Sequence, residues 1–77
     1  MTHHFTAVIQ EEALSTGAAI FVAHCPEIDV TSQGETRPEA LANLREAVEG
    51  VLEVADDAEI ESRLREGAFV TALDVAA

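Results

Sequence analysis

The side chains best suited to metal binding and nucleophilic chemistry are three histidines and one cysteine. His3 is adjacent to His4, and His24 is adjacent to Cys25. Because neighbouring residues of a strand point to opposite faces, neither pair is suited to holding one metal ion. A catalytic thiol also needs a base and an orienting group, whereas the apolar residues before Cys25 indicate an inert cysteine. We therefore predict no metal site and no catalytic residue, and we interpret His24 as a hydrogen-bonded residue near the end of a sheet.

Carboxylates are a second possible source of chemistry, because two-metal nucleases hold their ions with clustered acidic side chains. Six acidic residues lie near the ends of predicted strands: Glu11, Glu12, Glu27, Asp29, Glu35 and Asp74. Such nucleases commonly place one acid in the middle of the first strand, but residues 6–9 of this chain contain none. We interpret the six acids as solvated charges of turns, and we predict no enzyme activity.

Gly34 lies just before a predicted helix, and a helix N-terminus can bind anions through its backbone N–H groups. No lysine follows this glycine, and Glu35 and Glu39 would repel a phosphate. We therefore predict a structural role for Gly34 in a strand-to-helix turn, and no cofactor.

Three segments in the first half of the chain have the patterns of β-strands. Residues 4–12 alternate between apolar and polar, with a turn at 15–17. Residues 18–25 are apolar on both faces, which is typical of a central strand, and Pro26 ends them. Residues 28–33 are shorter and more polar, as an edge strand is. Together they predict an antiparallel meander.

A long amphipathic helix is predicted to follow this meander. Thr36 is a favourable N-cap, and Glu39 three residues later completes a capping box. Pro38 fits the first turn, where its missing N–H costs nothing. The apolar stripe of the helix consists of Leu41, Leu44, Val48, Val51 and Leu52. The spacing of this stripe predicts a helix that packs on one face of the sheet.

A second, shorter helix and a last strand complete the predicted order. Asp56 or Asp57 ends the first helix and caps the second, which ends at Gly67. Residues 68–75 again alternate. We predict a single α+β domain over residues 1–77, with the two-layer order β-β-β-α-(short α)-β.

The composition limits the possible partners. The chain has 77 residues, a hydrophobic fraction of 48%, 15 acidic residues and 4 arginines or lysines, for a net charge of −11. Such a chain repels phosphate backbones and anionic membranes, so we predict no direct binding to nucleic acid or membrane. It attracts a basic protein, although acidity can also serve solubility alone.

The sequence contains neither a recognisable secretion signal nor a membrane span. Residues after His4 alternate and do not form the apolar stretch of a signal peptide. No run reaches the about 20 apolar residues that a membrane span needs. The single cysteine cannot form an internal disulfide. We therefore expect a cytoplasmic protein.

The stretch FVAHCPEIDVTSQGETRPEALANLREAVEGVLE, residues 21–53, resembles the HicB-like antitoxin family. Three motifs underlie the resemblance: CPEI at residues 25–28, QGET at 33–36 and EALANL at 39–44. The resemblance implies a degenerate ribonuclease-H-like fold. It also implies a non-enzymatic role, which is to bind and neutralise a small basic mRNA-cleaving toxin of the HicA type.

The chain also departs from that family. Many HicB-like antitoxins have a C-terminal DNA-binding domain, whereas this sequence ends directly after its last predicted strand, so we do not expect operator binding. Two alternatives to the antitoxin role stay open. One is a solitary oligomeric domain that binds another protein or a small ligand, and the other is a metal-dependent nuclease of the ribonuclease-H type.

Two surfaces are predicted to make contacts with other proteins. The acidic side of the helices would bind a basic partner through Glu46, Glu49, Glu53, Asp56 and Asp57. A chain this small has a modest core of its own, so we also predict a homodimer or larger homo-oligomer. The last strand would form that contact through Phe69, Val70, Thr71 and Leu73.

Overall fold

A computed structural model describes residues 4–76. Its sheet contains three antiparallel strands in the order β1-β2-β3, with β1 at Val8–Ala13, β2 at Ala19–Cys25 and β3 at Val30–Gly34. The predicted meander is confirmed, with the strand that is apolar on both faces at its centre. The α+β class is also confirmed, as three antiparallel strands and two helices.

Two turns connect the strands. The β1–β2 turn is closed by a 2.8 Å hydrogen bond from the Leu14 N–H to the Ala18 carbonyl. Gly17 has a φ of +89°, in the left-handed region that glycine reaches without steric cost. In the β2–β3 turn, Asp29 has a φ of +53°, and aspartate tolerates this conformation better than most residues.

Strand β1 begins four residues later than the predicted span of 4–12. Val8 pairs with His24, so continuing the same register would place Thr6 opposite Pro26. Proline has no N–H to donate to the ladder. The backbone of residues 4–7 therefore leaves the sheet, although Phe5 still packs against the core.

Helix α1, at Arg37–Val54, begins with the predicted cap. Thr36 Oγ1 accepts a 3.1 Å hydrogen bond from the Glu39 N–H. The reciprocal bond is displaced by one residue, because the Glu39 carboxylate accepts from the Glu35 N–H at 3.3 Å and not from that of Thr36. The capping box is thus confirmed at Thr36 and altered at Glu39.

Helix α2, at Asp57–Glu66, is capped by Asp56, whose carboxylate accepts a 2.8 Å hydrogen bond from the Glu59 N–H. It ends at Gly67, as predicted, but the φ of Gly67 is −73° and needs no glycine. Glycine is required for another reason. A Cβ at this position would collide with the Glu27 carbonyl oxygen.

The core lies between the sheet and α1. Its buried members are Ala23, Cys25, Ile28, Ala40 and Leu44, and Phe5, Ile9, Phe21, Val30 and Val48 pack around them. Gly34 allows the end of β3 to approach α1 closely, because a Cβ there would lie 2.5 Å from the Ala40 backbone nitrogen. The predicted structural role of Gly34 is therefore confirmed as a close backbone contact.

The predicted last strand is wrong. Residues 68–76, called the tail below, contain no strand. The Ala68 N–H donates to the Pro26 carbonyl at 3.2 Å, but farther along Phe69 is 89% exposed and Leu73 is 86% exposed. A strand needs a neighbour for its backbone hydrogen bonds, and none of the three described strands pairs with the tail.

Candidate functional site

The acidic residues predicted to bind a partner lie together on the outer side of the helices. Glu46, Glu49 and Glu53 are spaced by three and four residues along α1, so they share one face. Asp56 and Asp57 follow at the junction with α2. All five are exposed. We call these five residues the acidic face.

The acidic face contains no ion pair within the described chain. The ion pairs of residues 4–76 join His24 to Asp29, Arg63 to Glu59, and Arg65 to Glu61. Asp56 differs from the other four because its carboxylate also caps α2. Glu46, Glu49 and Glu53 have no comparable role in holding the fold.

An apolar groove of about 350 Å³ borders the acidic face. Residues 5–7 and Cys25 form one side of it. Helix α1 forms the other side with Leu41, Leu44, Arg45, Val48, Glu49 and Leu52. Glu49 belongs to both surfaces, so the groove and the acidic face are continuous. The sequence did not predict this groove, because alternation over residues 4–12 placed residues 5–7 inside a strand.

Glu27 holds the segment that forms one side of the groove. The Thr6 N–H donates to both carboxylate oxygens of Glu27, at 3.0 and 2.9 Å. The Cys25 thiol donates to one of these oxygens at 3.5 Å. Burial alone would raise the pKa of Glu27, but the hydrogen bonds with Thr6 outweigh it and lower that pKa. Our interpretation of Glu27 as a solvated turn charge was therefore wrong.

Cys25 and His24 have structural environments. Burial, followed by the nearby Glu27 carboxylate, raises the pKa of the Cys25 thiol and keeps it protonated. His24 Nδ1 lies 2.6 Å from Thr31 Oγ1, and its Nε2 lies 3.7 Å from the Asp29 carboxylate. The prediction of a hydrogen-bonded His24 is confirmed.

The remaining residues are those considered for metal binding and those predicted for self-association. His3 lies outside the described residues. Over residues 4–76, no three histidine, cysteine, aspartate or glutamate side chains come together in a way that could hold a metal ion. Phe69, Val70, Thr71 and Leu73 are exposed on the tail and not in a strand.

No protein-family model, curated protein or solved structure matches the chain. Within the described part of the chain, neither helix combines the length and the apolar character needed to cross a membrane.

Proposed function

We propose that this chain is a non-enzymatic domain of the cytoplasm whose acidic face binds a small basic protein. In this proposal the partner is an mRNA-cleaving toxin of the HicA type, and the domain is a degenerate ribonuclease-H-like fold that covers the toxin. The support comes from the placement of the acids on α1, together with the resemblance of residues 21–53 to the HicB-like family.

Two acids of the acidic face occupy positions on α1 that disfavour them. Glu49 and Glu53 are four residues apart, and like charges at this spacing destabilise a helix by about 0.2–0.5 kcal/mol. Glu53 also lies in the last turn, where the helix dipole favours cations, and this turn contains no basic residue. Charges that weaken the isolated helix are explained by a basic partner that compensates them. This placement is the observation on which the proposal depends.

Charge also suits the expected kind of partner. A net charge of −11 steers a basic protein toward the domain and accelerates association at low salt. The same field repels the RNA that such a toxin cleaves. An antagonist with these properties would approach the toxin readily and would exclude its substrate once bound.

Isothermal titration of a catalytically inactive HicA-type toxin tests this proposal. Wild-type protein is compared with Glu49→Lys/Glu53→Lys and with a matched control, Glu11→Lys/Glu12→Lys, which makes the same charge change on β1. We expect the wild type and the control to bind, and the variant of the acidic face to bind at least about tenfold more weakly.

Two results would contradict the proposal. One is a complete lack of binding by the wild type at low salt. The other is an equal loss of affinity in both double variants, because this would show attraction to net charge with no contribution from a particular surface. Growth rescue in cells that express the toxin, measured with the same three proteins, tests neutralisation separately from binding.

A further inference from the structure

The tail presents an apolar surface that nothing in the described structure covers. Phe69, Leu73 and Val75 are 89%, 86% and 77% exposed. Their separations of two or four residues place all three on one side of an extended chain. Large apolar side chains grouped in this way mark a contact surface more often than a solvated tail.

The groove is the complementary surface. It is apolar along most of α1, and Leu41 on its edge is 38% exposed. A segment placed there would meet the apolar side chains that α1 contributes to the groove.

Charge connects the groove with the tail. Of the four arginines, Arg37 lies 4.8 Å from the ring centroid of Phe21, and Arg63 and Arg65 form ion pairs within α2. Arg45 has no such contact in the described chain, and it lines the groove together with one acid, Glu49. Asp74 is the single charged residue of the tail.

We propose that the tail of a second copy of this chain lies in the groove, with its apolar side chains inward and Asp74 beside Arg45. Two copies exchange tails in this way around a twofold axis, so each gives one tail and receives one. Residues 69–75 of the tail reach about 20 Å when extended, close to the length of about 17 Å that residues 41–52 of α1 cover along the groove.

The shape of the monomer favours a second copy over the chain's own groove. The Cα radius of gyration is 14.5 Å, against about 11.5 Å for a compact domain of this length. The tail therefore projects from the domain that it belongs to. The acidic face does not provide an alternative contact between copies, because five carboxylates would meet their own symmetry mates.

Opposite charge reversals test this arrangement by sedimentation equilibrium. Arg45→Glu and Asp74→Arg each place like charges in contact, so each variant alone should dimerise about tenfold more weakly than the wild type. An equimolar mixture should restore the dimer, because every tail then meets a groove of opposite charge. The double variant should also dimerise. Circular dichroism confirms that each variant is folded.

The mixture distinguishes exchange from a tail that folds back on its own chain. If tails bind in cis, mixing restores nothing, and that result would overturn the proposal. A wild type that stays monomeric at high micromolar concentration would overturn it as well.

A matched pair of aliphatic substitutions tests the apolar contact. Leu73→Asp should abolish the dimer, whereas Val54→Asp should leave it intact. Val54 is 85% exposed and lies outside both surfaces, so the two substitutions differ in location and not in exposure. Equal weakening of the dimer by both variants would show that the tail has no specific binding site in the groove. None of these measurements involves the toxin, so their outcome is independent of the proposed function.

Discussion

Residues 4–7 and the tail have the same kind of sequence and very different surroundings. Both alternate between apolar and other residues, both were predicted to be strands, and neither is one. The first segment is nevertheless held, because Phe5 packs against the core and Glu27 accepts two hydrogen bonds from the Thr6 N–H. The tail is held at Ala68 and is exposed beyond it. An alternating pattern thus assigns side chains to faces, while a polar anchor and a core contact determine whether the segment is held.

Removing that anchor should make the first segment resemble the tail. Glu27→Ala deletes the acceptor of both Thr6 bonds, and hydrogen bonds to charged groups contribute about 1.5–3 kcal/mol. We expect the free energy of unfolding to fall by about 2 kcal/mol, as measured by chemical denaturation. The amides of residues 5–7 should lose protection from hydrogen exchange. Glu12→Ala, an exposed acid on β1, is the control. Unchanged protection in Glu27→Ala would disprove the anchoring role.

Acid should weaken the same anchor reversibly. The folded pKa of Glu27 lies below its ordinary value of 4.5, so the stabilisation is fully present above that value and is lost as the pH falls through the folded pKa. We expect the Thr6 amide signal in NMR spectra to shift over this range below pH 4.5. Glu27→Gln should remove the shift. A titration of Thr6 that persists in Glu27→Gln would assign it to another carboxylate.

The cap of α1 provides a smaller effect in a well-packed region. Thr36→Ala removes the side-chain acceptor of the Glu39 N–H, and the loss of such a cap costs about 1 kcal/mol. A thermal melt should show a lower midpoint, whereas Thr36→Ser should retain most of the stability. Identical melts for the alanine variant and the wild type would show that the Thr36 side chain does not stabilise α1.

The smallest effect on the monomer is expected in the tail. Phe69→Ala removes a side chain that is 89% exposed, and surface substitutions of this kind change stability by less than about 0.5 kcal/mol. Denaturation at protein concentrations too low for dimers should therefore match the wild type. A concentration-dependent difference should appear only where dimers form. A large loss at low concentration would show that the tail packs on its own domain.

Much of the fold follows from short-range patterns. The three-stranded meander, the apolar stripe of α1 and the cap at Thr36 depend on neighbours within a few positions, and all were predicted, while the cap of α2 was narrowed to Asp56 or Asp57. The acidic face could be predicted for the same reason, since helical spacing places Glu46, Glu49 and Glu53 on one side of α1. These features need no knowledge of how distant segments meet.

The features that were missed depend on distant contacts. Glu27 meets Thr6 across 21 positions of sequence, and no local pattern specifies that pair. Residues 5–7, which this contact holds at Thr6, form one side of the groove. The predicted last strand is absent from residues 68–76 for a related reason, because an alternating sequence does not provide the neighbouring strand with which it would pair. Gly67 was placed correctly as a helix end, but its proximity to Glu27 gave a different reason for glycine.

The environment of Cys25 has a practical consequence. This thiol is 1% exposed, and burial keeps its pKa above the ordinary value. A maleimide dye should therefore react much faster with a second cysteine introduced on the surface. Position 50 suits such a label, because nothing lies within 4 Å of a Cβ placed at Gly50. Cys25 thus contributes almost no background to thiol labelling. A fluorophore on a cysteine introduced in α1 can report on that helix, and one on a cysteine introduced in the tail can report on the tail.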